Sequence, residues 1–196
     1  MPTQHPRRDT AFRTESMRAT HAMIALVAGL SLLTVVSGIG AQQSTTEAKL
    51  QRTDRNFVSK AVEDNREEVE LGKLAQGKAS SDAVKQFGQR MVEDHSAANQ
   101  DLLQLAENKG MKLQDKAPKA DREMERLAKL QGPEFDREYV RAMVKDHKQD
   151  VAEFRRMHSG AVDPNLKAWV DKTLPTIEDH LKTIEGIQAQ MAAAKK

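Results

Sequence analysis

Three of the six histidines directly follow an aspartate, as Asp94-His95, Asp146-His147 and Asp179-His180. Two of these pairs share a longer frame, Met91-Val92-Glu93-Asp94-His95 and Met143-Val144-Lys145-Asp146-His147. Imidazole binds transition ions as a neutral ligand and titrates near neutral pH, so its surroundings decide its chemistry. With about 100° of rotation per helical residue, His95 falls among Met91, Ala98 and Leu102, and His147 among Met143, Val151 and Phe154. His180 falls beside Ile177, Ile184 and Ile187, and Glu68 shares a face with Phe57, Ala61, Leu71 and Ala75. All four would face a helical core. A Glu68, His95, His147 and His180 set is chemically suited to a first-row divalent ion such as iron, zinc or copper. Asp94, Asp146 and Asp179 lie one step around each helix, where they could orient imidazoles carried by neighbouring helices. A satisfied polar network that fixes helix register is the simpler reading and takes precedence.

Other chemistries are less well supported. A di-iron carboxylate centre needs Glu-x-x-His on two helices, but Val92, Val144 and Ile177 stand three residues before the histidines. Met91, Met111, Met124, Met143, Met157 and Met191 could offer thioethers to copper, but their helical spacing reads first as core filling. His158 lies near a helix end and is ordinary, and Lys145 to Arg156 mixes charge signs as a solvated face does. There is no cysteine, which excludes disulfides, thiolate metal sites and cysteine nucleophiles. No phosphate loop, nucleotide fingerprint or supported Ser-His-Asp arrangement is present. These observations favour a non-catalytic binding protein.

The elements that must position these residues are helices. Straight-chain helix formers abound and aromatics make up 4% of residues, which disfavours strands. The pattern predicts a first helix capped by Asp54 and interrupted at Gly77 and Ser80-Ser81-Asp82. A second, capped by Ser81 or Asp82, ends at Gly110. Lys119 to Leu130 reads as a short helix, with Met124, Leu127 and Leu130 on one side, inside a long connection. Gly132-Pro133 starts a third long helix that stops near Gly160, and Asp163-Pro164 starts a fourth, with a kink expected at Pro175. Short loops make two antiparallel hairpins, and the long link between them can span a bundle. The predicted fold is therefore all-α: a ferritin-like four-helix bundle over residues 54–190, with a long crossover between the second and third helices that holds a short extra helix.

Residues 1–41 read as a signal peptide: Arg7, Arg8, Arg13 and Arg18 precede an apolar run from Met23 to Val36, which closes on Ser37-Gly38-Ile39-Gly40-Ala41. Met17 offers an alternative start, which would make residues 1–16 an over-extended beginning. The apolar run is shorter than the roughly 20 residues that span a bilayer, so no integral span is expected after cleavage. Residues 42–53 read as a flexible linker and 191–196 as a tail. Without residues 1–41 the remaining charges balance, and no basic stripe for nucleic acid is visible.

Glu68-Val69-Glu70-Leu71-Gly72-Lys73-Leu74-Ala75, Val84-Lys85-Gln86-Phe87-Gly88-Gln89-Arg90 leading to His95, and Phe135-Asp136-Arg137-Glu138-Tyr139 leading to His147 occur in order, before Thr173-Leu174-Pro175 and His180. In this combination the chain resembles the exported bacterial family called domain of unknown function 4142, over nearly all of residues 54–190. The resemblance implies a ferritin-like bundle behind a signal peptide, with no established activity. Members are often labelled outer-membrane proteins, but this sequence lacks the alternating strands of a barrel. The expectation is a periplasmic protein, with peripheral envelope or outer-membrane association, acting in envelope or stress physiology. Metal binding or oxidation and a homodimerising interaction module are the alternatives.

Overall fold

The computed structural model describes residues 49–113 and 122–194. The expected signal peptide and its cleavage site lie outside the described residues. Among the described residues five helices follow in order: α1 (Arg52–Lys78), α2 (Asp82–Asn108), the short α3 (Arg122–Ala128), α4 (Gly132–Gly160) and α5 (Pro164–Ala193). Of the expected short helix, α3 is described from Arg122, and Lys119 to Asp121 lie outside the described residues. α5 continues through Pro175. Gly110 and Gly132 adopt φ of 69° and 60°, the left-handed conformation that glycine takes without a Cβ penalty, and so mark the end of one long helix and the start of the next.

The pairing of helices is ferritin-like. α1 packs on α2 and α4 on α5, while α1 also neighbours α4 and α2 neighbours α5. Two carboxylates fix the direction of the second set. Near the start of α1, Asp54 accepts from the backbone N–H of Val162 and Asp163 in the α4–α5 turn, at 3.2 and 2.9 Å. Near the start of α4, Asp136 accepts from the backbone N–H of Ser80 and Ser81 in the α1–α2 turn, at 3.1 and 3.0 Å. Each helix of the α1–α4 pair therefore begins where the other ends. Lys109 at the end of α2 pairs with Asp163 at the start of α5, 2.9 Å away and buried, which makes these two antiparallel as well. The link between α2 and α4 must then cross the length of the bundle.

This geometry corrects the reading of Asp54 as the cap of its own helix. α1 begins at Arg52 after Gln51, and the Asp54 side chain is committed to the other hairpin. Ser81 does stand at the N-cap of α2, but its side chain makes no capping bond, and its N–H is held by Asp136. Asp163 does cap α5, accepting from Asn165 and Leu166 at 2.9 and 3.0 Å.

The matched clasps expose a repeat in the chain. Asp54-Arg55-Asn56-Phe57-Val58 corresponds to Asp136-Arg137-Glu138-Tyr139-Val140, and the same alignment pairs Val62 with Val144, Asp64 with Asp146, Asn65 with His147 and Glu68 with Asp150. In the partner helices Val92-Glu93-Asp94-His95 corresponds to Ile177-Glu178-Asp179-His180. The two hairpins are thus variants of one unit, related by an approximate two-fold.

Two apolar clusters fill the interior. One gathers Leu71, Phe87, Met91, Leu127, Phe135, Tyr139, Met143 and Ile184; the other gathers Phe57, Leu102, Val151, Phe154, Leu166, Trp169 and Ile177. His95, His147 and His180 fall between them in sequence on each helix. Val162 is the one large apolar side chain left exposed among the described residues.

α1 and α2 are in close backbone contact at Gly72 and Gly88. A Cβ on Gly72 would meet the Gly88 carbonyl oxygen at 2.5 Å, and one on Gly88 would meet the Ala75 Cβ at 2.6 Å. Neither neighbour is a flexible side-chain end, so the helices themselves would have to part. Gly88→Ala is expected to destabilise the fold by roughly 1–3 kcal/mol through overpacking. Gly186→Ala, where nothing lies within 4 Å, should stabilise α5 by about 1 kcal/mol through helix propensity. Urea unfolding of both variants checks the contrast, and equal effects would contradict the close-packed seam.

Candidate metal centre

The second and fourth long helices carry His95 and His180, and α4 carries His147. Their apolar flanks are drawn into the core, and the imidazoles go with them: His95 is 5% exposed, His147 0% and His180 1%. Their ring centroids are 5.9 Å apart for His95–His147, 5.4 Å for His95–His180 and 5.5 Å for His147–His180. One ring nitrogen from each lies within 4.8 Å of one from each of the others. Phe87 packs edge-on against His147 and His180, closing the group on one side.

Hydrogen bonds decide the tautomers, because every partner is an acceptor. His95 Nδ1 donates to the Asn65 side-chain oxygen at 2.8 Å. His147 Nδ1 donates to the Met143 carbonyl at 3.0 Å, and His180 Nε2 donates to Asp94 Oδ2 at 2.8 Å. His95 Nε2, His147 Nε2 and His180 Nδ1 are left with lone pairs, buried and without a hydrogen-bond partner. A nitrogen oriented by an acceptor on its far side is the usual state of a metal-binding histidine.

Burial sets the protonation of the group. It lowers His95 well below the ordinary imidazole range, with His147 and His180 adding repulsion. Burial and then His180 lower His147 to about 4, against its Met143 bond. Burial also lowers His180, although Asp94 pulls the other way. All three imidazoles are therefore neutral at pH 7, the form that binds a metal.

The aspartates separate in role. Asp94 reaches across from α2 to His180 on α5, and Arg90 holds it by a 3.2 Å bond. Asp179 binds that Arg90 at 2.7 Å, so it acts on His180 through two intermediates. Asp146 lies instead near Lys145, on the face shared by α1 and α4.

Glu68 stands apart from the three lone pairs. Its Oε1 is 3.9 Å from His147 Nδ1, the nitrogen already donating to Met143. Its donor atoms group with His147 and Asp150. Burial, then Asp150, raises Glu68 well above the ordinary carboxylate range. Asp150, raised by burial and Asp64, reaches about 7.

Asn65 and Asp150 are the partners that sequence reasoning missed. Asn65 sits one turn before Glu68 on the same inward face, and the hairpin repeat that equates Asn65 with His147 and Glu68 with Asp150 carries the signal for both.

A four-helix bundle with three converging imidazoles defines the class, and the family follows from the match. Residues 40–187 match the domain of unknown function DUF4142, and the chain belongs to that family. No curated protein matches the chain. Among solved structures it is similar to a DUF305 protein from Streptomyces coelicolor described as secreted, at 12% identity and TM-score 0.63, over 71% of this chain and 93% of that one. A DUF305 fragment from Deinococcus radiodurans matches at 14% identity and TM-score 0.64, over 72% and 99% of the two chains. CopM, solved in its Cu(I)-bound form, matches at 18% identity and TM-score 0.62, over 71% and 98%. At these identities the likeness shows the fold. No described helix is long and apolar enough to cross a membrane.

The neutral core makes stability pH-dependent. Unfolded, His147 takes up a proton near pH 6.5; folded, it refuses one until about pH 4. It therefore withdraws no stability above pH 6.5 and increasingly more as pH falls toward 4, on the order of 3 kcal/mol in full. Glu68 and Asp150 have the opposite sign, since their raised values remove stability as pH rises. In the difference between wild type and His147→Gln these carboxyls largely cancel. The stability gap between the two proteins should narrow by about 3 kcal/mol from pH 7 to pH 4. Urea unfolding of the metal-free proteins measures it, and a constant gap would contradict the buried neutral imidazole.

Proposed function

We propose that this protein is an exported metal-binding bundle that holds one first-row transition ion on His95, His147 and His180, with copper(I) the leading candidate over zinc and iron. The observation that carries this reading is the set of three buried lone pairs with no donor to satisfy them. A polar network that served only to fix register would pair such atoms, because an unsatisfied buried polar atom costs about 1–3 kcal/mol. A metal ion satisfies all three at once.

Charge favours a monovalent ion. Ionic desolvation cost grows with the square of the charge, and the three ligands are neutral. Asp94 behind His180 is the carboxylate bonded directly to a ligand. The Cu(I)-bound form of CopM on the same fold gives independent support for copper. Export is supported by the arginine-led apolar segment within residues 1–41 and by a structural neighbour described as secreted. The periplasm is then the working compartment, with any outer-membrane association peripheral. The absence of a catalytic motif supports binding over turnover.

Titration of the purified full-length protein with copper(I) against a competing chelator, and separately with zinc(II), tests this reading. One equivalent should bind, and His95→Gln, His147→Gln and His180→Gln should each abolish it. Asp94→Ala, which removes the acceptor that orients His180, should weaken binding by about 10- to 100-fold. A folded wild-type protein that takes up neither ion would overturn the proposal and leave a structural polar core.

A further inference from the structure

A separate cavity of about 180 Å³ opens between α1 and α4 and is lined by Lys60, Asp64, Glu67, Glu68, Glu123, Lys145, Asp146 and Asp150, among others. Its room for several waters suits a partly hydrated ion. Glu68 lines this cavity with a side chain only 6% exposed, and its Oε2 has no hydrogen-bond partner. Asp150 faces the same space, and Glu68, His147 and Asp150 offer donor atoms within 4.8 Å of one another. The nearby lysines are engaged at the rim: Lys60 pairs with Asp64 and Glu153, and Lys145 reaches toward Glu123 and Asp146.

We infer that Glu68 and Asp150 form a second cation site, distinct from the three-histidine pocket, that takes a hard divalent ion through carboxylate oxygens. The two residues occupy equivalent positions in the two hairpins. The approximate two-fold therefore sets their carboxyls opposite each other across the α1–α4 face. Oxygen donors at an open cavity select ions such as manganese(II), magnesium or calcium, whereas three buried imidazoles select softer ions. The bundle would then hold two ions of different character, separated by the His147 ring. Asp64, Glu67, Glu123 and Asp146 draw cations toward this opening.

Manganese(II) is the probe, because its free-ion paramagnetic resonance signal falls as it binds. The full-length protein should bind one manganese(II). Glu68→Gln and Asp150→Asn, each checked for helical content by circular dichroism, should weaken it about tenfold or more. His95→Gln, which lies outside this cluster, should keep manganese(II) while losing copper(I). Absence of manganese(II) binding by the wild type, unchanged binding in both carboxyl variants, or loss in Glu68→Gln alone would overturn the paired site. Copper(I) binding without manganese(II) would sink this inference and leave the histidine pocket standing; manganese(II) without copper(I) would do the reverse.

Discussion

A neutral imidazole has one nitrogen that donates and one that accepts, and a dry helical core rarely supplies both partners. Here Asn65, the Met143 carbonyl and Asp94 take the three donor sides. No donor answers the other three. Backbone N–H groups at that depth are consumed in the helices, and the apolar clusters on either side admit few polar side chains. The fold holds the polar layer in place by distributing its stabilising contacts away from it: two carboxylate clasps at the hairpin turns, a buried Lys109–Asp163 pair and a tight glycine seam.

Much of the architecture was legible in the sequence because the signals were local. Pro133, Pro164, Gly110 and Gly132 mark helix ends through backbone rules, and the inward direction of the histidines follows from 3.6-residue periodicity. Periodicity gives the direction of a side chain around its helix but not its height along the bundle. Height depends on how the hairpins slide against each other, which the Asp54 and Asp136 clasps fix through contacts 109 and 56 residues apart in the chain. That is why Asp54 read as a local cap, and why Glu68 read as a fourth member of the histidine set although the folded chain groups it with Asp150. Asp150 itself was hidden inside a run of mixed charges in which Lys145, Lys148, Arg155 and Arg156 do face water.

The two proposed cation sites would be built by different means. In the core, precision comes from helices: each imidazole sits on a rigid element with an acceptor fixed behind it. At the α1–α4 face, the carboxyls border an opening with room for several waters, where hydration could adjust to an ion. One residue, His147, belongs to both groups, so an ion bound on one side would alter the electrostatics felt on the other.

The hairpin repeat also has a consequence in parity. Position for position, the α1–α2 unit contributes one inward imidazole, His95, and places Asn65 where the α4–α5 unit has His147 beside its own His180. Two copies of the first unit would assemble a pair of imidazoles, and two copies of the second would assemble four. An odd number arises only when the two unlike units meet. The second unit also carries Phe154 and Thr173 where the first has Gly72 and Gly88, so neither can stand in for the other along the seam. A self-paired half of this chain would therefore reproduce the architecture without the trio of imidazoles, and Asn65, standing where the other half has His147, is the difference that sets that number.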